Sequence, residues 1–216
     1  LRQPEPVGRG RRPAAGSGTR ARASGGRIGT VFRPAEEARG LDQAQGHWLR
    51  PELIAWPPSD LPPGENPAGL EWRLHWSADD HIDPTASEPV PWATASLRFD
   101  PAGITPEVAA RFPHLRNHLS LIVPKETAAK APEALRCQVA VSVHLPSGRL
   151  VSAGQLQLPG VIDEVYAAAA KAELGPVWHG GIPTIRLWAP TAREACLLLW
   201  PAGTDLHGGP QRHRMT

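Results

Sequence analysis

Cysteine is scarce: Cys137 and Cys196 are the only two in 216 residues, and they form no C-x-x-C pair. The common zinc and redox motifs are therefore absent. No apolar run approaches the roughly 18 residues that a membrane helix needs, so no membrane partner is expected. No basic, apolar and small-residue order marks a signal peptide. The chain begins with Leu1 rather than Met, so a signal further upstream stays open, as do both extracellular and cytoplasmic placement. A formal net charge of +2 singles out no class of partner. There is no G-x-S-x-G, no H-E-x-x-H, no phosphate loop and no dinucleotide fingerprint. No cofactor is expected and no residue is assigned a catalytic role.

What is abundant is proline (25) and glycine (21), set among 41% hydrophobic residues. That mixture favours many short strands joined by tight turns over long helices. The length suits one large or two small domains. Eight Trp stand against one Tyr and three Phe. Large aromatics usually fill cores and strand faces; the sharper reading makes some of them platforms for sugar rings.

Residues 1–46 differ from the rest. Arg2, Arg9, Arg11, Arg12, Arg20, Arg22, Arg27 and Arg33 sit among Gly, Ala, Ser and Pro with almost nothing to bury. Such a segment cannot offset its ordering entropy and is expected to be a disordered leader. A nucleic-acid-binding arm is the alternative, since arginines track phosphates.

From His47 the pattern becomes that of strands. His47-Trp48-Leu49 and Leu53-Ile54-Ala55-Trp56 read as short strands, the second ended by Pro57-Pro58. Leu70, Trp72, Leu74 and Trp76 alternate with Glu71, Arg73 and His75, an amphipathic strand. Asp79, Asp80, His81 and Asp83 form the densest set of oxygen and nitrogen ligands. They fit no defined calcium loop and read as a solvated hairpin tip. Residues 92–99 are a further strand. Thr105-Pro106-Glu107 is a helix start, with a hydroxyl cap, proline at the first position and an acid in the first turn. His114 and His118 have the spacing of two metal ligands on a helix, but no Glu lies between them and Pro113 precedes them, so no metal site is assigned.

Residues 135–145 predict one long strand, with Leu135, Cys137, Val139, Val141, Val143 and Leu145 on one face and Arg136, Gln138, Ser142 and His144 on the other. Cys137 is expected as a buried free thiol. Pro146-Ser147-Gly148 turns the chain into a returning strand over 150–158. Pro159-Gly160 closes the first domain, and residues 161–173 read as a single alanine-rich helix. Gly180-Gly181 then bends the chain into a strand in which Ile185, Leu187 and Ala189 share one face. Residues 195–200 form another, almost wholly apolar strand.

Five stretches carry a family resemblance. Pro183-Thr184-Ile185-Arg186-Leu187-Trp188-Ala189-Pro190-Thr191-Ala192 resembles the opening of a family 48 carbohydrate-binding module, which precedes the catalytic barrel in debranching enzymes of glycoside hydrolase family 13. Leu156-Gln157-Leu158-Pro159-Gly160-Val161-Ile162-Asp163-Glu164-Val165-Tyr166-Ala167 resembles the hinge between the accessory domain and that module in pullulanase-type α-1,6-glucosidases. His47-Trp48-Leu49, Leu53-Ile54-Ala55-Trp56-Pro57 and Arg111-Phe112-Pro113-His114-Leu115 fit the same accessory domain in the same order.

The resemblance implies an all-β chain: a leader at 1–46, an immunoglobulin-like β-sandwich at 47–160, a helical linker at 161–181 and the first strands of a second, incomplete sandwich at 182–216. It implies a non-catalytic accessory part of an enzyme cleaving α-1,6 bonds in pullulan, starch or glycogen. The α-glucan would be the partner through the parent enzyme, and the catalytic barrel the intramolecular partner. Asp79, Asp80, Asp83, Asp163 and Glu164 match none of the family's catalytic carboxylate motifs. Which residues would touch glucan is not read from the sequence. A stand-alone α-glucan-binding module and an Arg-tailed nucleic-acid-binding protein are the alternatives, the latter not expected.

Overall fold

The computed structural model of the chain describes residues 41, 44–79, 81–86, 89–200 and 209–215. The leader expected over 1–46 lies outside the described residues, except Leu41 and the last three positions. Those three already belong to the first strand.

Seven strands form one ring: β1 (Ala44–Arg50), β2 (Leu53–Trp56), β3 (Glu71–Ser77), β4 (Ala93–Asp100), β5 (Leu119–Ile122), β6 (Gln138–His144) and β7 (Leu150–Gln157). The order around the ring is β1-β2-β5-β4-β3-β6-β7, closed by β7 pairing with β1. Every pair is antiparallel except that closing one. The expected all-β class holds, but the strands form a closed barrel where two packed sheets were expected. The reason lies in β1. Its second half pairs antiparallel with β2, as His47 with Ala55 and Trp48 with Ile54. Its first half pairs parallel with β7, as Gly46 with Leu156. One strand thus joins both edges and leaves neither open.

The ring is filled by Trp48, Ile54, Trp56, Trp72, Leu74, Trp76, Leu97, Leu121, Val139, Val141, Val143 and Leu156. Trp56 and Trp72 meet edge to face with ring centroids 6.2 Å apart, the arrangement their quadrupoles favour. β1 must run close past this cluster. A Cβ built on Gly46 would lie 2.7 Å from both Leu156 Cδ2 and Trp56 Cε3. β2 is buried on both faces because Leu53 and Ala55 look outward into a second cluster with Leu49, Val108 and Leu115. That cluster is roofed by α1 (Pro106–Arg111), whose cap is the expected one: Thr105 Oγ1 accepts from Val108 N.

Two local expectations are corrected. The strand expected over 135–145 begins only at Gln138. Residues before it form the short helical turns α2 (Lys125–Ala128) and α3 (Ala131–Ala134), which bury Ala131, Ala134 and Leu135 against the core. Cys137 accordingly lies off the strand, half-buried, with its thiol donating to Glu133 O at 3.5 Å. The single helix expected over 161–173 is two pieces, α4 (Pro159–Val165) and a 3-10 turn (Ala167–Lys171), separated at Tyr166. Only α4 has a surface to pack on. Gly160 brings it so close to β1 that an added Cβ would meet Leu49 Cα at 3.0 Å, and Val161 enters the main core. The turn after it buries nothing, so alanine propensity alone does not extend the helix.

Beyond the barrel come two separate hairpins. β8 (Gly175–His179) pairs with β9 (Ile182–Arg186), turning at Gly180 and Gly181, both with positive φ as tight hairpins require. β10 (Cys196–Leu199) pairs with β11 (Gln211–Arg214). β8 falls inside the stretch expected as helical linker. β11 falls in a polar stretch with no strand pattern, and it covers one edge of β10. Among the described residues no helix is long and apolar enough to cross a membrane.

Candidate functional site

The outer face of β3 carries Arg73 and His75. In register beside them are Ser96 and Thr94 on β4, and Ser142 and Ala140 on β6. Period-two patterning predicts that this polar face is solvated, yet His75, Ser142 and His144 are buried. Trp92 lies over it, its ring meeting the His75 ring edge to face at 6.4 Å.

The hydrogen bonds here run in one direction. The carbonyl of Gly148 can only accept, so His144 Nδ1 carries the proton it donates across 3.2 Å. His144 Nε2 is then an acceptor and takes the Ser142 hydroxyl at 2.9 Å. Ser142 Oγ in turn accepts from His75 Nε2 at 2.7 Å. That leaves His75 Nδ1 as an acceptor, shared by Trp92 Nε1–H at 3.2 Å and the Thr94 hydroxyl at 3.0 Å. A proton on Nδ1 would oppose both donors. Burial, then the neighbouring His144, then Arg73 lower the His75 pKa from 6.5 to about 4.

This has a consequence for stability. The unfolded chain protonates this histidine near pH 6.5, whereas the folded chain resists until about pH 4. Between those values the unfolded state binds more protons, so stability falls as pH falls, by roughly 3 kcal/mol from this group. Urea unfolding across that range, compared with His75→Gln, isolates the effect. Equal pH slopes for the two proteins would contradict the buried, neutral assignment.

A second histidine group lies across the barrel. His47 of β1 packs edge to face against His114 and His118, with centroids 5.8 and 5.9 Å away. His114 is in a 3-10 turn (Pro113–Leu115) and His118 immediately precedes β5, so the pair does not share a helix face. Burial first, then the neighbouring histidines, lower the pKa of His47 and of His118; Asp60 opposes the shift at His118. Both lowered values act in the same direction as His75 on the acid side.

Of the acidic cluster, Asp80 lies outside the described residues. Asp79 and His81 are exposed. Asp83 closes its own turn, with Oδ1 accepting from Thr85 N at 2.9 Å and Thr85 Oγ1 at 2.6 Å, bonds that lower its pKa. Asp163 and Glu164 both pair with Arg111, bracing α4 against α1. Among the described residues no group of three His, Cys, Asp or Glu side chains is placed to hold a metal ion. The cysteines are free; Cys196 Sγ accepts from Arg212 Nε at 3.2 Å.

The eight Trp divide by position. Trp48, Trp56, Trp72 and Trp76 are core, and Trp92 is half-buried over the polar face. Trp178, Trp188 and Trp200 are exposed, beside Leu174, Ile182 and Leu187. The exposed segment meets the barrel side at Arg136 and Tyr166. Arg193 Nε donates to Arg136 O at 2.8 Å, Arg136 Nη2 donates to Arg193 O at 3.4 Å, and the Trp188 ring meets Tyr166 at 5.8 Å.

Comparison with known proteins places this architecture. The family model described as the Pullulanase N2 domain matches residues 43–164, which run from the approach to β1 into α4. Over 203 residues the chain is 27% identical to a pullulanase of Klebsiella pneumoniae, covering 83% of this chain and 18% of that protein. It is 32% identical over 112 residues to Pullulanase 1, chloroplastic, of Arabidopsis thaliana, covering 50% of this chain and 11% of that protein. A ligand-free mutant pullulanase structure from Klebsiella pneumoniae superposes with a TM-score of 0.67 at 27% identity, over 83% of this chain and 16% of that one. A maltotriose complex of the mutant gives 0.63 at 29% identity, over 82% of this chain and 18% of that one. The chain therefore spans less than a fifth of the length of these relatives. The family match extends over more than half of the chain and coincides with the barrel and the helix packed on it. The chain belongs to the Pullulanase N2 domain family.

Proposed function

We propose that this chain is the accessory, non-catalytic part of a pullulanase-type debranching enzyme acting on α-1,6-glucosidic linkages in pullulan, starch or glycogen. The observation that carries this reading is the family match over residues 43–164 together with the likeness of 83% of the chain to a pullulanase structure. In this reading the leader ends before β1, and the barrel with α4 is a rigid spacer. Residues 182–216 begin a family 48 carbohydrate-binding module, and chemistry belongs to a glycoside hydrolase family 13 barrel elsewhere in the parent enzyme.

The carboxylates here support that division of labour. Retaining glycosidases need two carboxyl groups facing each other across the bond, roughly 5 Å apart. Glu107, Asp163 and Glu164 are instead spent on ion pairs with Arg50 and Arg111 at the surface. The purified chain is expected to release no reducing ends from pullulan above a mock preparation. Turnover that persists through an added chromatography step would overturn the assignment.

A second reading, a stand-alone α-glucan-binding module, is favoured by the exposed Trp178, Trp188 and Trp200. Affinity electrophoresis in soluble starch separates the two. Retardation that is lost when Trp178, Trp188 and Trp200 are changed to alanine together supports the stand-alone module, and migration that those changes leave unaltered supports a part that positions a separate catalytic domain.

A further inference from the structure

The polar face under Trp92 opens to solvent as a cleft of about 440 Å³, lined by Arg73, Pro89, Val90, Trp92, Thr94 and Ser96. Its walls are built rather than incidental. Arg73 pairs in register with Ser96, and His75 with Thr94, so one guanidinium and two hydroxyls rise side by side from adjacent strands. The indole N–H of Trp92 is directed into the barrel wall, onto His75 Nδ1 at 3.2 Å. That bond is the first of the chain running through Ser142 and His144 to Gly148. Trp92 therefore has a set orientation, with its polar edge used inward. An indole anchored in this way loses little freedom when a ligand stacks on it.

The electrostatics narrow the ligand class. The Arg73 guanidinium lies 3.1 Å from Glu71 Oε2, so its charge is partly matched. Among the described residues the remaining lining carries hydroxyl and apolar groups and no other formal charge. A phosphate or carboxylate ligand would find a poor cation excess here. A neutral ligand with many hydroxyls finds donors and acceptors on one wall and an indole on the other, the mixture of a few placed polar groups with an aromatic surface that small-molecule sites use.

We propose that this cleft is a saccharide-binding site that takes glucose units of a neutral α-glucan, with Trp92 as the stacking surface and Arg73, Thr94 and Ser96 as the hydroxyl-reading groups. The choice of glucose over other sugars rests on the function proposed above; the site itself rests on the geometry. It would hold glucan on the barrel, apart from the exposed tryptophans of the following hairpins.

The test is a titration of the full chain with maltohexaose, followed by the indole N–H and backbone amide resonances, with the Trp92 indole assigned from Trp92→Phe. Inorganic phosphate and cellohexaose are the parallel probes. The expected result is saturable shifts at Trp92, Thr94 and Ser96 with maltohexaose, and none with phosphate. Ser96→Leu, an exposed strand position whose bulk fills the cleft, is expected to weaken binding at least about tenfold while leaving the unfolding midpoint unchanged. Arg73→Met is the second variant, so the outcome does not hang on one protein folding. Maltohexaose shifts confined to Trp178, Trp188 and Trp200 would overturn this site while leaving the pullulanase-type reading standing. Equal response to cellohexaose, whose glucose units are β-linked, would overturn the α-glucan assignment but keep a saccharide site. Shifts with phosphate in place of sugar, or no shift at Trp92 with any probe, would overturn the site altogether and leave the pullulanase-type reading standing.

Discussion

Truncating Trp72 to alanine is expected to destabilise the protein by about 3–5 kcal/mol, a large part of what holds a domain of this size together. Trp72 is 2% exposed and sits in the middle of the barrel. Its ring meets Trp56 edge to face, and its Nε1 donates to Pro67 O at 3.0 Å, holding the loop before β3. Alanine would leave a cavity lined by residues from the closed ring, which cannot collapse strand by strand as an open sheet can. Trp76 provides the internal comparison. It is also buried, but its indole N–H has no partner among the described residues. Trp76→Phe removes an unsatisfied donor along with some volume, whereas Trp72→Phe removes a made hydrogen bond, a difference of about 1 kcal/mol. Urea unfolding of the three variants checks the order. Wild-type stability of Trp72→Ala, accompanied by loss of glucan binding, would mean that Trp72 is a surface platform.

The second large effect concerns the hairpins after the barrel. A chain shortened to end at residue 171 is expected to be monomeric and as stable as the full chain, whereas the full chain self-associates or is cut by protease within 174–200. Trp178, Ile182 and Leu187 are 65%, 71% and 61% exposed, and a two-stranded hairpin without a sheet behind it is marginal. Among the described residues β10 pairs with β11 alone, and an edge left without a strand recruits a second copy. Ending the chain at residue 158 is expected to destabilise it instead. That deletion removes Val161 from the core and Asp163 and Glu164 from Arg111. On this expectation the barrel needs α4, which runs past the boundary that Pro159-Gly160 suggests. Light scattering and limited proteolysis of the three lengths decide the matter. A monomeric full chain whose β8–β11 segment resists protease as well as the β6–β7 hairpin would contradict this.

Much of the barrel was legible because its strands have distinct inner and outer residues. Alternation located β3 and β6 and assigned Trp72, Leu74, Trp76, Val139, Val141 and Val143 to the core. The Thr105 cap located α1, and Pro146-Ser147-Gly148 located the β6–β7 turn. Closure was not legible, because the parallel pairing of Gly46 with Leu156 joins segments more than a hundred residues apart and has no local pattern. The same limit hid the candidate site. Arg73, His75, Ser142 and His144 read only as the polar sides of their strands, since period two distinguishes polar from apolar but not covered from open. What lies over His75 is Trp92, an aromatic at the start of a weakly patterned strand. His47 was likewise unremarked beside His114 and His118, because their meeting is tertiary. β8 was obscured by Pro176, and β11 by a run of polar residues that pairs through its backbone.

The most direct test of the proposed role is to sequence the message that encodes this chain, in both directions from these residues. The expected result is one reading frame that continues through the remaining strands of a family 48 module into a barrel bearing an aspartate and a glutamate across a glucan cleft. A message encoding only these 216 residues would contradict the accessory role and leave an independent glucan-binding module in its place.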